Sequence, residues 1–434
     1  MSQRQSSRPR VAITGVGVIS PIGVGREVFW TNLSTGKNGI GPVEHQFHGE
    51  RALSPGFVGG EVSDFDEKFA KEVIPKNQRK NIKVMCRDIQ MGTSSAMMAV
   101  EDAGLDLGAI DHDRMGIDFG ANLMFSPPTQ LNDPCWNCLD EAGNFTFSKW
   151  AKNGITKMEP LWLLKYLPNM PACHIAIFVD ARGPSNSITQ DEASSNLALI
   201  EALNVIHRGA ADMMVAGATG ARLHEFKVIH AAIWEELGYR PEDPAASSRP
   251  FDIERNGEVV AEGSCTFILE TEEHAKARGA KILGYLTGGG SSSVKGNQRG
   301  AIANAIRAAL RTSELTPEDI GHINAHGLGA VDADLAEAQA IHDVFGSRGA
   351  EIPVTALKGA MGNSAAAGGN LELAGSLLAL QEGLIPPTIH CDNPDPACNL
   401  NIVRGQPQAT TLRNVLNLSF TRLGQASAIV VQCD

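Results

Sequence analysis

The sequence lacks long apolar runs, a dense basic stripe and abundant aromatic residues. No apolar stretch approaches the roughly 20 residues that a helix needs to span a bilayer. Lysine and arginine total 37 against 49 acidic residues, a formal charge of −12, so nucleic acid and membranes are not expected as partners. The polar N-terminus continues into the Gly-punctuated run VAITGVGVISPIGVG. Because no secretory signal is recognised there, we expect a cytoplasmic location.

Cysteine is scattered, which excludes a disulfide framework. The chain has eight cysteines in 434 residues, and their spacing is not that of a small disulfide-rich domain. Cys135 and Cys138 form a lone CxxC pair with no second pair at zinc spacing, so we interpret them as reduced thiols in a loop. The sequence therefore predicts no metal site, and no cofactor is expected.

Short β-branched runs alternate with helical stretches along the whole chain. RMGIDFGAN and ADMMVAGAT read as buried strands, and SSNLALIEALNVIHRGA reads as a helix that ends at Gly209. The pattern recurs in the second half and closes with the strand pair VLNLSFTRLGQASAIVVQ. This alternation predicts an α/β fold with a largely buried sheet. Residues 122–170 lack such periodicity and hold three of the five tryptophans, which predicts a lid or interface insertion.

The stretch GPSNSITQDEASSNLAL, residues 183–199, predicts a sharp turn that runs into a helix. Such a turn would present Glu192 to a cavity. Three interpretations of Glu192 stand at this point. It is a catalytic base, a fixed replacement in an inactive pocket, or an acid favoured by the dipole at the start of a helix.

Several motifs in fixed order resemble the β-ketoacyl synthase family over nearly the whole chain. They include ASSNLAL, NAHGLGAVDADLAEAQAI, VTALKGAMGNSAAAGG and NLSFTRLGQASAIVV. The resemblance implies a thiolase-like five-layer αβαβα fold of two pseudo-duplicated halves, normally dimeric. We expect an N-terminal half over residues 1–265, which includes the insertion near 122–170, and a C-terminal half over residues 266–434.

The resemblance also shows which catalytic groups are changed. Active members carry a cysteine nucleophile where this chain has Glu192, and a carboxylate would hold an acyl group only as an anhydride. The first family histidine is matched by His326. The second is replaced by Asn363, which can donate a hydrogen bond but cannot transfer a proton. Lys358 and Glu337 remain and are expected to pair behind the histidine position.

Two further departures concern substrate binding and the gate of the site. The threonines that serve the pantetheine arm in the family are Leu328 and Ala330 here, so two hydroxyls are missing. In the family's C-terminal gate motif Phe420 is kept, whereas the second phenylalanine is Arg422. We expect Arg422 to form a bidentate ion pair with Glu192 that plugs the former active site.

The altered motifs favour a subunit without condensing activity of its own. The chain is similar to chain-length factors, also called ketosynthase β subunits, which pair with an active ketosynthase in fatty acid or polyketide-type synthesis. A malonyl-carrier-protein decarboxylase that makes starter units is the alternative, and a homodimeric scaffold is a third reading. The expected partners are a second copy or a catalytic ketosynthase, together with an acyl carrier protein.

Overall fold

A computed structural model describes residues 8–47, 50–411 and 413–434. Most of the polar N-terminus therefore lies outside the described residues. The strands, in chain order, are β1 (Val11–Ser20), β2 (Gly23–Val24), β3 (Ile40–Phe47), β4 (Glu50–Gly60), β5 (Met115–Ala121), β6 (Ser185–Ile188), β7 (Met213–Ala221), β8 (Glu262–Thr271), β9 (Gly284–Ser293), β10 (His322–Asn324), β11 (Pro353–Thr355), β12 (Leu384–Ile385), β13 (Asn401–Ile402), β14 (Gln408–Ala409), β15 (Asn414–Phe420) and β16 (Gln425–Gln432).

The α-helices lie between these strands. They are α1 (Arg26–Ser34), α2 (Glu67–Val73), α3 (Arg87–Asp102), α4 (Asn132–Trp136), α5 (Met170–Val179), α6 (Ser194–His207), α7 (Glu225–Trp234), α8 (Glu272–Ala277), α9 (Gln298–Thr312), α10 (Val331–Phe345), α11 (Lys358–Met361) and α12 (Gly368–Glu382). Within the described ranges, no helix has the length and hydropathy to cross a membrane.

One large sheet contains the same strand arrangement twice. The N-terminal half has the order β6-β5-β7-β8-β1, and the C-terminal half has the order β11-β10-β15-β16-β9. In each half the first three strands are parallel and the last two are antiparallel. The halves join where β1 pairs with β9. The predicted α/β class and its pseudo-duplication are confirmed.

Helices cover both faces of each half and form the layers around the sheet. Helices α3 and α5 pack on the N-terminal strands from one side, and α6 packs on β5 and β7. Helix α12 contacts α6, β8 and β15 in the middle of the molecule, while α9 and α10 cover the far side of the C-terminal strands. The two central helices, α6 and α12, contain small residues where they pack closely against each other. A Cβ on Gly369 would lie 2.4 Å from the Ser195 hydroxyl.

The expected division of the chain after residue 265 falls inside β8. That strand pairs with β1 on one side and β7 on the other, so it completes the N-terminal arrangement. A division after Thr271 keeps both repeats of the sheet intact.

Residues 122–170 form short turns rather than regular layers. Within this segment the helical pieces are at most five residues long. Trp136 is 67% exposed and Phe147 is 75% exposed. Its role as a lid or interface insertion remains a prediction.

The predicted turn before α6 is present and places Glu192. The chain leaves β6, passes through a short 3₁₀ turn, Asp191–Ala193, and enters α6 at Ser194. Asp191 adopts a left-handed φ of 44°, a conformation that Asp tolerates better than most residues. Gly120 on β5 allows the start of α6 to approach, since a Cβ there would lie 3.0 Å from Ser194.

Candidate functional site

A cavity of about 380 Å³ lies at the turn before α6. Its lining comes from both halves of the chain. The predicted site residues in the lining are Glu192, Leu328, Ala330, Phe420 and Arg422. The two positions that replace the family threonines therefore present apolar side chains to this space.

Glu192 is partly buried at the cavity. The backbone carbonyl of Glu192 accepts a hydrogen bond from the Ser419 hydroxyl at 2.6 Å, which ties the turn to the end of β15. Burial raises the pKa of the Glu192 carboxyl to about 7. The charge of nearby Glu258 also raises this pKa, and the charge of Arg222 lowers it.

Asn363 lies beside Glu192. Its amide nitrogen donates to Glu192 Oε1 at 3.3 Å and to Glu258 Oε2 at 2.5 Å. Its amide oxygen accepts from the backbone N–H of Ala365 at 3.0 Å, which fixes the orientation of the amide. Asn363 therefore acts as a neutral donor between two carboxyl groups.

Arg222 is the buried cation of this cluster. It forms ion pairs with Glu235 and, at 3.1 Å, with Glu258, and it also donates to the Asn363 carbonyl at 3.3 Å. Three carboxyl groups, those of Glu192, Glu235 and Glu258, thus lie around one guanidinium. We refer to Glu192, Arg222, Glu235, Glu258 and Asn363 as the carboxyl cluster.

The carboxyl groups of the carboxyl cluster have pKa values shifted in opposite directions. Burial opposes ionisation of Glu258, but the Arg222 charge and the hydrogen bonds it receives lower its pKa to about 2. Burial and the charge of Glu258 raise the pKa of Glu235 to about 8, although Arg222 opposes this shift. Arg222 therefore favours the carboxylate form of Glu258 most strongly, whereas Glu235 holds its proton more tightly than an ordinary glutamate.

The expected ion pair between Glu192 and Arg422 is wrong. Both residues line the cavity, yet in the part of the chain that the structure describes they form neither an ion pair nor a hydrogen bond. A tight turn joins β15 to β16, with Gly424 N donating to Thr421 O at 3.1 Å. Arg422 lies at the exposed tip of this turn. The guanidinium that faces Glu192 belongs to Arg222 instead.

His326 belongs to a second buried cluster, behind Phe420. The His326 ring packs against the Phe420 ring at a centroid distance of 4.5 Å, and Phe420 lines the cavity whereas His326 does not. His326 Nδ1 lies 3.0 Å from Lys358 Nζ. Because an ammonium only donates, Nδ1 is the acceptor and the ring proton sits on Nε2. Burial and the Lys358 charge hold the pKa of His326 well below its usual value.

The expected pairing of Lys358 with Glu337 is also wrong. Lys358 forms its ion pair with Glu372 on α12 and donates to the His326 carbonyl at 2.9 Å. Glu337 instead accepts from the backbone N–H groups of His326 at 2.7 Å and Gly327 at 2.9 Å. It therefore shapes the loop before α10. Burial raises the pKa of Glu337 to about 8.

The two clusters adjoin at the start of α12. A Cβ on Gly368 would lie 3.8 Å from Lys358 Nζ and 3.9 Å from Asn363 Oδ1. The structure therefore brings Glu192 together with Asn363, and His326 together with Lys358. It shows no hydrogen bond between Glu192 and His326 among the described residues.

Cysteine side chains lie away from this cavity in the part of the chain that the structure describes. Within the described residues, the cavity lining contains no cysteine. Cys86 lines a separate cavity of about 330 Å³, and burial raises its pKa to about 12, so its thiol stays protonated at neutral pH. The described residues also contain no group of three or more His, Cys, Asp or Glu side chains arranged to hold a metal ion.

Sequence reasoning missed Arg222, Glu235, Glu258 and Glu372. Three of them had a recognisable signal. Arg222 follows directly after the apolar strand β7, Glu258 precedes the buried run into β8, and Glu372 is the single acid in the apolar first part of α12. A charged residue in such a setting needs a buried partner. Glu235 follows an amphipathic helix and carries no comparable signal.

Comparisons with known proteins agree with this arrangement of two halves. The family description "Beta-ketoacyl synthase, N-terminal domain" matches residues 8–275, and "Beta-ketoacyl synthase, C-terminal domain" matches residues 280–392. The chain belongs to the β-ketoacyl synthase family. The predicted resemblance is confirmed.

Relatives in the β-ketoacyl synthase family match nearly the full length of the chain. The chain is similar to 3-oxoacyl-[acyl-carrier-protein] synthase 2 of Synechocystis sp., with 33% identity and 95% of each chain covered. The solved ishigamide ketosynthase/chain length factor gives a TM-score of 0.83 at 27% identity, with 99% of this chain and 100% of that chain covered. A type II PKS ketosynthase solved in complex with its acyl-carrier protein gives a TM-score of 0.80 at 27% identity, with the same coverage. The expected thiolase-like fold is thereby confirmed.

Proposed function

We propose that this chain is a non-condensing ketosynthase-like subunit that pairs with a catalytic ketosynthase in fatty acid or polyketide-type synthesis. The observation that carries the proposal is the position of Glu192. Its carboxyl lies at the cavity, bonded to Asn363 at 3.3 Å, where active relatives need a thiolate. The subunit shapes or supports the shared site, and its partner supplies the nucleophile.

The surrounding groups support the absence of condensation. Chain extension needs an acyl-accepting nucleophile and donors that stabilise the enolate formed from a malonyl thioester. Glu192 would accept an acyl group only as an anhydride, which is less stable than the thioester that delivers it. His326, the remaining histidine, is neutral and lies behind Phe420.

Two similar structures support the proposed partners. One is described as a ketosynthase/chain length factor, and another contains a type II PKS acyl-carrier protein in complex with its ketosynthase. We assign this chain the corresponding subunit role, with a catalytic ketosynthase and an acyl carrier protein as partners. A homodimer is the competing assembly.

Decarboxylation of a malonyl carrier protein is a second candidate because of the Glu192 pKa. A group whose pKa is raised to about 7 lies in the range that suits acid–base catalysis at neutral pH. Against this role, a malonyl carboxylate would enter a cavity that already contains ionised Glu258. This second candidate predicts carbon dioxide release by the isolated chain.

Co-expression tests the pairing. The chain should be produced with a ketosynthase that keeps its cysteine and both histidines, purified through a tag on this chain alone, and measured by native mass spectrometry. We expect a stable 1:1 complex. The proposal would be contradicted if the chain remained a homodimer when it was co-expressed with each ketosynthase of this kind that is encoded by a neighbouring gene. Glu192→Gln is the matched variant, and it should pair as well as the unaltered chain.

A further inference from the structure

One largely buried asparagine at the cavity has a side-chain N–H without a protein partner in the described part of the chain. Asn122 follows β5, is 6% exposed and lines the same cavity as Glu192. Its Oδ1 accepts from the backbone N–H of Ala366 at 2.8 Å, which fixes Nδ2 as the other end of the amide. Among the described residues Nδ2 donates to no acceptor. This N–H is accessible from the cavity rather than enclosed by protein, so an acceptor placed in the cavity can reach it.

Asn122 and Glu192 belong to the same end of the cavity. The consecutive N–H groups of Ala365 and Ala366 bind the amide oxygens of Asn363 at 3.0 Å and Asn122 at 2.8 Å, respectively. Asn363 in turn donates to Glu192 at 3.3 Å. The same short turn therefore fixes the side chain of Asn122, which has an N–H without a partner among the described residues, and the side chain of Asn363, which donates to Glu192.

The charges around the cavity favour a cation. Six acidic side chains line it: Asp191, Glu192, Glu235, Glu236, Glu258 and Asp332. Of the three Lys and Arg side chains in the lining, Arg222 is engaged by Glu235 and Glu258, Lys227 is bound by Asp88 at 3.1 Å, and Arg422 is exposed. Arg222 compensates Glu258 and Glu235, but the other four acidic side chains of the lining form no ion pair among the described residues. Their negative charge disfavours an anionic ligand and favours an ammonium.

The remaining walls suit a short apolar chain. Phe125, Trp234, Leu328 and Phe420 line the cavity, and aromatic faces also attract cations. The volume of about 380 Å³ lies at the small end of ligand pockets. The cavity therefore fits a short methylene chain with polar groups at both ends.

We propose that this cavity binds an amine-bearing acyl group, whose carbonyl oxygen accepts from Asn122 and whose ammonium pairs with the carboxylate of Glu192. The proposal rests on the non-condensing role proposed above for the same cavity. Binding ionises Glu192, because an ammonium is stabilised only by the charged carboxylate. The raised pKa of Glu192, about 7, means that this ionisation releases a proton to the solvent in slightly acidic buffer.

Three matched amides test the ligand class. The probes are N-methyl-4-aminobutanamide, which carries an ammonium, N-methylpentanamide, which is its neutral analogue, and the monomethylamide of glutaric acid, which is anionic. Ligand-observed NMR on the purified full chain at pH 6.5 gives the three dissociation constants. We expect the amine to bind at least about tenfold more tightly than the neutral amide, and the anion to bind least.

Two variants locate the interaction. Glu192→Gln should abolish the preference for the amine, whereas Glu242→Gln, an exposed change with the same charge difference, should leave it intact. Asn122→Leu should weaken the binding of the amine and of the neutral amide by the same factor. Equal binding of amine and neutral amide, a preference that survives in Glu192→Gln, or no binding of the amine at millimolar concentration would each overturn the proposal. Pairing with a ketosynthase is measured separately by native mass spectrometry, so failure of one proposal is distinguishable from failure of the other.

Discussion

Asn363 and Glu192 are joined by a hydrogen bond of 3.3 Å in which the asparagine amide donates. The same nitrogen donates to Glu258 at 2.5 Å. The sequence resemblance implies a histidine and a cysteine at these two positions in active members of the family. Here a neutral amide bridges two acids, and the pair is part of a buried structural cluster.

Replacing Asn363 by aspartate tests this bridge. Asn363→Asp removes the donor and adds a carboxyl beside Glu192 and Glu258, so we expect a loss of about 3–5 kcal/mol in the free energy of unfolding. The loss should be larger at pH 8 than at pH 5. Asn304→Asp, an exposed change on α9, is the control and should stay within about 0.5 kcal/mol. A similar small effect at Asn363 would contradict the described contacts.

The pH dependence of stability tests the protonated state of Glu192. Its folded pKa of about 7 lies above its ordinary value of 4.5, so the folded chain holds this proton more tightly than the unfolded chain. The contribution is fully present below the ordinary pKa and is lost as pH rises through the folded pKa. We expect the unaltered chain to lose stability between pH 5 and pH 8.

Glu192→Gln should reduce this loss by about 1–2 kcal/mol, allowing for partial exposure of the side chain. Glu235→Gln should act in the same direction, because the pKa of Glu235 is raised to about 8. Urea unfolding at several pH values measures both effects. An unchanged pH profile in Glu192→Gln would show that the proton is not held at this residue.

The two arginines at the cavity should differ sharply in their effect on stability. Arg222→Met leaves Glu258 without its buried cation, so we expect a loss of about 3–5 kcal/mol. Arg422→Met removes an exposed charge and should stay within about 0.5 kcal/mol. A larger loss of stability in Arg422→Met than in Arg222→Met would instead support the ion pair between Glu192 and Arg422 that the sequence predicted.

A double-mutant cycle tests the partner of Lys358. Lys358→Met and Glu372→Gln, singly and together, should show a coupling of about 1.5 kcal/mol or more, because their buried charged groups are in direct contact. The corresponding cycle with Glu337→Gln should give a smaller coupling. Equal couplings would mean that Lys358 interacts with both acids alike.

The sequence predicted the architecture better than the contacts within the site. Strand and helix periodicity and the order of family motifs were sufficient to predict the duplicated α/β fold and to select Glu192 and Asn363 as candidate site residues. The two ion pairs predicted from the sequence were wrong because the spacing of motifs does not show in which direction a side chain points. Arg422 lies in the gate motif, but the turn closed by Gly424 points it to solvent, while Arg222 enters from the end of β7. Likewise Glu372 reaches Lys358 because α12 crosses the centre of the molecule, a packing relationship without a local sequence pattern.

The most direct measurement of the proposed role is malonyl-carrier-protein turnover by the chain alone and by its complex with a catalytic ketosynthase. Carbon dioxide release and chain extension are measured together by mass spectrometry of the carrier protein. We predict no turnover by the isolated chain, and condensation by the complex that is lost when the partner's catalytic cysteine is replaced and retained in Glu192→Gln of this chain. Carbon dioxide release or condensation by the isolated chain, abolished by Glu192→Gln, would contradict the account.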